Sequence, residues 1–293
     1  MPSAERQRVE TFGRPEDSLS EASPWYLWGP YVSERAWGTV REDYSPGGAA
    51  WDYFPHDHAR SRAYRWSEDG LAAVCDVHQR LCLGLTLWNG QDPILKERIF
   101  GLTGPQGNHG EDAKEYWWYT DATPSHAWLS WRYHYPQRAF PYGGLVAENG
   151  RRGRSDDEYE LLDTGVFDDD RYWIVEVDYA KADPTDLLMR VRVRNAGPEV
   201  AEIDVLPTLW FRNTWSWGDA VERPLLRWTE HGVVAEHSAL GEYLLRAAGG
   251  PGGEAPEPLF CENETNAERL WGVQPSTPFP KDCLLYTSDA ADE

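Results

Sequence analysis

The sequence predicts an all-β protein, an antiparallel β-sandwich, on three observations. Several segments alternate apolar and polar residues with a period of two, clusters of Gly, Pro and Asp separate them, and no helical period persists beyond two turns. In LCLGLTLW, Leu81, Leu83, Leu85 and Leu87 share one face while Cys82, Gly84, Thr86 and Trp88 share the other. YWIVEVDYA sets Trp173, Val175, Val177 and Tyr179 against Glu176 and Asp178. LLMRVRVRN sets Leu187, Met189, Val191 and Val193 against Arg190, Arg192 and Arg194. Both read as half-buried antiparallel strands. A turn from Asn195 to Pro198 leads into a run in which Ile203, Val205, Leu209 and Phe211 share a face. Further short strands are expected around residues 115–120, 127–133, 233–237 and 243–246.

The chain is expected to divide into four stretches. Residues 1–22 are polar and charged without periodicity, which predicts a disordered arm. Residues 23–69 interleave aromatics and charges with Gly and Pro, which predicts an ordered, aromatic-rich loop segment packed on the sandwich. Residues 70–282 carry the strand pattern, interrupted by a flexible loop from Gly249 to Pro258. The last eleven residues, 283–293, do not continue the preceding pattern. They read as an in-frame translation of a sequencing-library adapter and are set aside from fold reasoning.

Composition narrows the function classes. With 293 residues, 41% of them apolar, the chain can bury a sizeable core. No run approaches the roughly 18 apolar residues of a membrane span, and the charged start offers no stretch for a signal peptidase, so a cytoplasmic protein is expected. Four cysteines without C-x-x-C spacing fit free thiols. A formal net charge of −21 repels phosphate backbones and anionic bilayers, which argues against nucleic acid and membrane as partners. The 16 Trp and 15 Tyr exceed what such a core ordinarily uses, and their apolar faces and polar edges suit stacking on sugar rings as well as packing.

The densest candidate site is PWYLWGPYVSERAWGTVREDY, where Trp28, Arg35, Trp37, Arg41, Glu42, Asp43 and Tyr44 combine aromatic faces with charged groups able to bond hydroxyl pairs. Asp52, His56 and His58 extend it. A loop that plugs one end of a sandwich would use the same residue types. His56 and His58 would lie on one side of a strand, but no third ligand accompanies them, so a structural pair is expected rather than a metal. The carboxylates Glu42, Asp43, Asp52, Glu111, Asp112 and Asp168 to Asp170 are numerous enough to supply an acid/base pair. Glycoside hydrolysis needs two such groups roughly 6.5–9.5 Å apart for inversion or about 5 Å for retention. LPTLWFRNTWSWG ends a strand with Trp210, Trp215 and Trp217, which predicts an aromatic face on which another domain docks. No G-x-S-x-G, glycine-rich phosphate loop or dinucleotide fingerprint is present, and no cofactor is expected.

WGPYVSERAWGTVREDY, WDYFPHDHARSRAYRWSEDG, LWNGQDPILKERIFGLT, GNHGEDAKEYWWY, YELLDTGVFDDDRYW, LPTLWFRNTWSWG and ENETNAERLWGV occur in this order. Together they resemble the first third of bacterial glucosidase-like proteins of glycoside hydrolase family 63, over residues 24–282. The resemblance implies an amino-terminal antiparallel super-β-sandwich preceding an (α/α) six-hairpin barrel that holds the inverting acid and base. It implies an α-glucoside substrate and no organic cofactor. No position here matches the motifs that carry the catalytic carboxylates, so no catalytic residue is assigned. The loop from Trp28 to Arg60 is expected to form part of the pocket rim in the intact protein. A glycoside phosphorylase, sharing the sandwich-and-barrel plan, and a free-standing carbohydrate-binding module are the alternatives.

Overall fold

A computed structural model of the chain describes residues 3–9, 23–32, 56–65, 70–102, 106–109, 112–217 and 223–284. The strands are β1 (Trp28–Gly29), β2 (Leu71–Asp76), β3 (Leu81–Trp88), β4 (Gly101–Leu102), β5 (Asp112–Ala113), β6 (Trp117–Ala122), β7 (Trp128–Pro136), β8 (Tyr172–Asp183), β9 (Asp186–Asn195), β10 (Asp204–Phe211), β11 (Leu225–Thr229), β12 (Gly232–His237) and β13 (Gly241–Leu245). Three short α-helices accompany them: α1 (Ala4–Val9), α2 (Tyr142–Asn149) and α3 (Ala267–Trp271). The chain is all-β, as its alternation predicts. It divides into two compact units, Met1–Arg60 with Trp66–Trp210, and Ser61–Arg65 with Phe211–Glu293. The stretch of residues 70–282 read as one sandwich falls across both units, the division lying after Trp210.

In the first unit, two four-stranded sheets have the orders β1-β2-β3-β10 and β6-β7-β8-β9. The second is a continuous antiparallel meander: Trp131 faces Val177, which faces Val191. On β7, Leu129, Trp131, Tyr133 and Tyr135 are buried, and on β8 Trp173, Val175, Val177 and Tyr179 are. Burying each such side chain favours folding by about 1.5–3 kcal/mol. Tyr179 reaches across to the first sheet, donating to the Leu83 carbonyl at 3.4 Å. β3 is buried on both faces, so Cys82 and Thr86 are as enclosed as the leucines opposite them. Trp210 is core as well. A side chain at Gly70 or Gly84 would collide with its indole, Gly70 also having φ +93°.

Asp76 closes the β2–β3 turn. Its carboxylate accepts from the backbone N–H groups of His78 (2.9 Å), Arg80 (2.6 Å) and Leu81 (2.8 Å). The arm expected to be disordered includes helix α1, because Glu5 accepts from both the N–H and the hydroxyl of Ser125, each at 2.7 Å. Residues 10–22 lie outside the described set.

The second unit contains the three-stranded antiparallel sheet β11-β12-β13. It also contains a stitched arrangement of irregular chain. Asn263 accepts from Tyr64 N–H (2.6 Å) and donates to the carbonyls of Tyr64 (2.8 Å) and Phe211 (2.9 Å). Asn213 donates to the Asn263 carbonyl at 2.6 Å, and Ser61 donates to Asp282 at 2.6 Å. Asn side chains here do what a neighbouring strand would do, satisfying main-chain groups that have no ladder. Of the stretch read as an adapter translation, Cys283 and Leu284 are described, with Cys283 N–H donating to Pro280 O at 3.0 Å. Residues 285–293 lie outside the described set.

Asn263→Ala removes the Asn263 side-chain bonds to the Tyr64 N–H and to the carbonyls of Tyr64 and Phe211, of which the Tyr64 carbonyl keeps the Asn213 N–H as a donor. We expect a loss of about 2–4 kcal/mol, since each buried unsatisfied group costs about 1–3 kcal/mol. Urea unfolding measures it, and a loss below about 0.5 kcal/mol is incompatible with this stitching role.

Candidate functional site

The residues singled out in the sequence are not assembled into one described pocket. Arg35, Trp37, Arg41, Glu42, Asp43, Tyr44 and Asp52 lie outside the described residues. Trp28 is in β1 and only 4% exposed, so it is a core residue and not a wall of a cleft. His56 and His58 sit on a 3-10 helix, His56–Ser61, so the strand geometry that would align their rings does not occur. Among the described residues no group of three or more His, Cys, Asp or Glu could hold a metal ion. Of the candidate carboxylates, Asp168 to Asp170 form an exposed 3-10 turn in which Asp169 and Asp170 have φ of 60° and 57°. Glu111 is outside the described residues. Trp215, expected on a docking face, instead donates its indole N–H to Glu264 at 2.7 Å.

Next to Trp28 lies a buried cation. Lys181 Nζ donates to the carbonyls of Trp28 and Trp25, the latter at 2.5 Å. Burial, opposed by the charge of Glu5, brings the Lys181 pKa down to about 8. His126 packs edge-on against Tyr26 and Tyr31 at 5.7 and 5.6 Å, and burial, then Lys181, lowers its pKa. This arrangement fixes main chain, and its carboxylate, Glu5, is committed to the N–H and hydroxyl of Ser125.

Two buried carboxylates that the sequence did not single out, Asp92 and Glu115, lie together in the first unit. Glu115 accepts from Lys96 Nζ at 2.8 Å, from Phe100 N–H at 2.5 Å and from the Tyr133 hydroxyl. Lys96 also donates to the Tyr142 hydroxyl and lies 4.1 Å from the Phe140 ring centroid. Asp92 accepts from the Tyr135 hydroxyl at 2.5 Å and from Phe140 N–H at 2.6 Å. Desolvation, then the nearby carboxylates, push Tyr133, Tyr135 and Tyr142 well above the ordinary phenol range, so they stay protonated, and Tyr133 and Tyr135 act as donors. All four carboxylate oxygens are thus committed to protein donors. One sequence signal was available: Lys96 stands among Ile94, Leu95, Ile99 and Phe100, and a lysine in such a run requires a partner.

The outer face of the β6–β9 sheet is built differently. Residues directly opposite one another form the row Trp118, Arg132, Glu176, Arg192. Arg132 donates to Glu176 at 2.6 Å, and Arg192 approaches Glu176 at 3.3 Å and Asp178 at 3.1 Å. Bonding to Arg132 holds Glu176 below its usual pKa. Asp178, although desolvation pushes it up, is held down by Arg190, Ser130 and Arg192. Beside this ladder, five rings form a closed circuit. Tyr116 stacks on Trp118 (6.3 Å), Trp118 meets His134 edge-on (5.1 Å), and His134 stacks on Tyr172 (5.1 Å). Phe167 closes it, 5.4 Å from Tyr172 and 5.9 Å from Tyr116.

Comparison with known proteins finds one informative similarity. The uncharacterized protein YMR196W of Saccharomyces cerevisiae is 40% identical over 300 residues, covering 92% of this chain and 27% of the yeast protein. The chain therefore spans about a quarter of that relative's length. No protein-family model matches the chain, and no solved structure matches it.

Two outcomes test the buried charges. Glu115→Ala leaves Lys96 buried without its carboxylate and should cost about 3–5 kcal/mol, whereas Lys96→Met with Glu115→Leu should recover much of that loss; denaturant titration of the three proteins decides. For Lys181 the sign follows from linkage: a lysine whose folded pKa is depressed costs stability wherever it must be charged. Its contribution therefore improves as pH rises from about 8 toward the ordinary 10.5. Wild type should gain stability relative to Lys181→Met between about pH 8 and pH 10, and a flat or falling difference contradicts the assignment.

Proposed function

We propose that this chain is the non-catalytic amino-terminal part of an inverting α-glucosidase-type glycoside hydrolase, inactive alone, whose bond-breaking carboxyls belong to polypeptide outside it. The observation that carries the reading is the commitment of Asp92 and Glu115. An inverting acid and base need a water between two carboxyl groups and one of them free to give a proton. Here Asp92 and Glu115, like the buried Asp76, Asp178 and Asp282, already accept at both oxygens from protein donors. The antiparallel sandwich agrees with the architecture implied by the family 63 resemblance. The yeast relative, of which the chain spans 27%, has room for a large further domain.

In this reading the oligosaccharide is a substrate of the whole protein, with the loop carrying Arg35 to His58 at the pocket rim. A helical barrel would dock on exposed apolar residues of the second unit such as Leu225, Leu244, Leu259 and Phe260. Cys75, Cys82 and Cys261, none of them in a disulfide, support a cytoplasmic location. No helix among the described residues is long and apolar enough to cross a membrane.

Hydrolysis of an aryl α-glucoside is the test. The purified chain should give no turnover, and a protein extended to the length of the yeast relative should release the phenol. Turnover by the chain alone, or none by the extended protein across α-glucosides, would overturn the proposal.

A further inference from the structure

We propose that the outer face of the β6–β9 sheet is a saccharide-binding surface, on which the Trp118 indole stacks against a pyranose ring while the Arg132–Glu176 pair bonds its hydroxyls. The inference stands apart from the hydrolase reading, because it concerns binding by this chain whatever its parent does.

The first support is an exposed indole that the fold holds still. Trp118 is 43% exposed although core rings lie close by. Tyr116 backs it by stacking and His134 by its edge. Tyr116 and Phe167 are themselves packed on the buried cluster of Phe100, Phe140, Tyr142 and Leu145. The indole face is therefore oriented before any ligand arrives, and little side-chain entropy is lost on binding.

The second support is what stands next to it. Trp118 is directly opposite Arg132, and Arg132 is directly opposite Glu176. Adjacent strands are about 4.8 Å apart, so an apolar ring face and a donor–acceptor pair fall within the span of one sugar ring. Sugars present C–H faces to aromatic rings and hydroxyl pairs to planar charged groups, and this row supplies both.

Charge decides between a sugar and a protein partner. The face carries Arg132, Arg190, Arg192 and Arg194 against Asp121, Glu176 and Asp178, a small local excess of cations in a chain of net charge −21. An apolar protein surface placed here would have to desolvate those charges, at several kcal/mol each. A hydroxylated ligand replaces their water one hydrogen bond at a time. Arg194 lies on the same face, directly opposite Ile174, and burial, then the charges of Arg132 and Arg194, lower the pKa of His134. That keeps the imidazole neutral and able to accept as well as donate.

Isothermal titration of the chain with maltoheptaose, cellohexaose and xylohexaose, in turn, tests the proposal. At least one should bind saturably, and Trp118→Ala should weaken it tenfold or more. Arg132→Ala should weaken it as well, while Trp118→Tyr should retain most of it. Trp228→Ala, removing an exposed indole of the second unit, should leave affinity unchanged. Circular dichroism and melting temperature of each variant separate lost binding from lost fold. No binding of any of the three glycans, or binding that Trp118→Ala changes less than twofold, overturns the surface. Because turnover is not measured, neither outcome depends on the hydrolase proposal.

Discussion

A positive charge removed from water must be matched where it lies, and in the first unit that requirement falls on Lys96. Its side chain is wholly inaccessible, as is that of Glu115. The desolvation of such a pair is offset only when geometry is good and the remaining lone pairs are bonded. The surrounding structure meets both conditions. Phe100 supplies a main-chain donor, Tyr133 a hydroxyl from the middle of β7, and Tyr142 a hydroxyl from the first turn of α2. The strand partners of β4 and β5, the helix and the central strand of a sheet are thereby tied to one point. Asp92 repeats the device one step along, joining Tyr135 to the main chain at Phe140. These polar groups specify which segments meet, a task that interchangeable apolar contacts perform less sharply.

β7 carries that rigidity to the surface. Its odd-numbered residues Trp131, Tyr133 and Tyr135 are buried, and its even-numbered Ser130, Arg132 and His134 point to the other face. With a side-chain period of two, fixing one set fixes the other. The Tyr133 bond to Glu115 thus helps determine where Arg132 stands. The outward row of β8 is clamped in turn by arginines of β9, as Arg190 holds Asp178 at 2.8 Å. An ion-pair ladder on a solvent face contributes little to stability pair by pair. Its consequence here is positional, since it presents guanidinium and carboxylate groups in a fixed order next to an indole.

The meander was legible because it is buried on one face only. Alternation in YWIVEVDYA and LLMRVRVRN maps directly onto β8 and β9. β2 shows the limit. Its sequence, LAAVCD, is buried at every position and broken by a register shift between Leu71 and Val74, with Ala72 at φ 48°, so no period survives to be read. Trp210 looked like part of an exposed aromatic face because alternation says nothing of what covers a strand; Gly70 and Gly84 make room for it inside. The second unit was illegible for another reason. Its irregular chain is held by the Asn213 backbone N–H and the Asn263 side chain, which both meet Tyr64, about 150 and 200 residues earlier, and no local pattern encodes a contact so distant. The Trp28 to Arg60 segment was read by composition; the structure buries Trp28 and places His56 and His58 on a 3-10 helix where a strand was expected.

The carboxylates of so acidic a chain sort by what their surroundings do to the proton. A glycosidase general acid needs its pKa raised, by an apolar pocket or a like charge, so that it is protonated near neutrality. The carboxyls whose pKa is displaced here, Glu5, Glu148, Glu176, Asp178 and Glu199, are all displaced downward. For each, arginine is among the causes, and for Glu5 and Asp178 it acts with serine donors against desolvation. A carboxylate so held is a poor proton donor and a good hydrogen-bond acceptor. That is the chemistry needed to recognise a hydroxyl and not the chemistry needed to cleave a glycosidic bond. The charge that makes the chain acidic is spent, at these positions, on holding arginines in place.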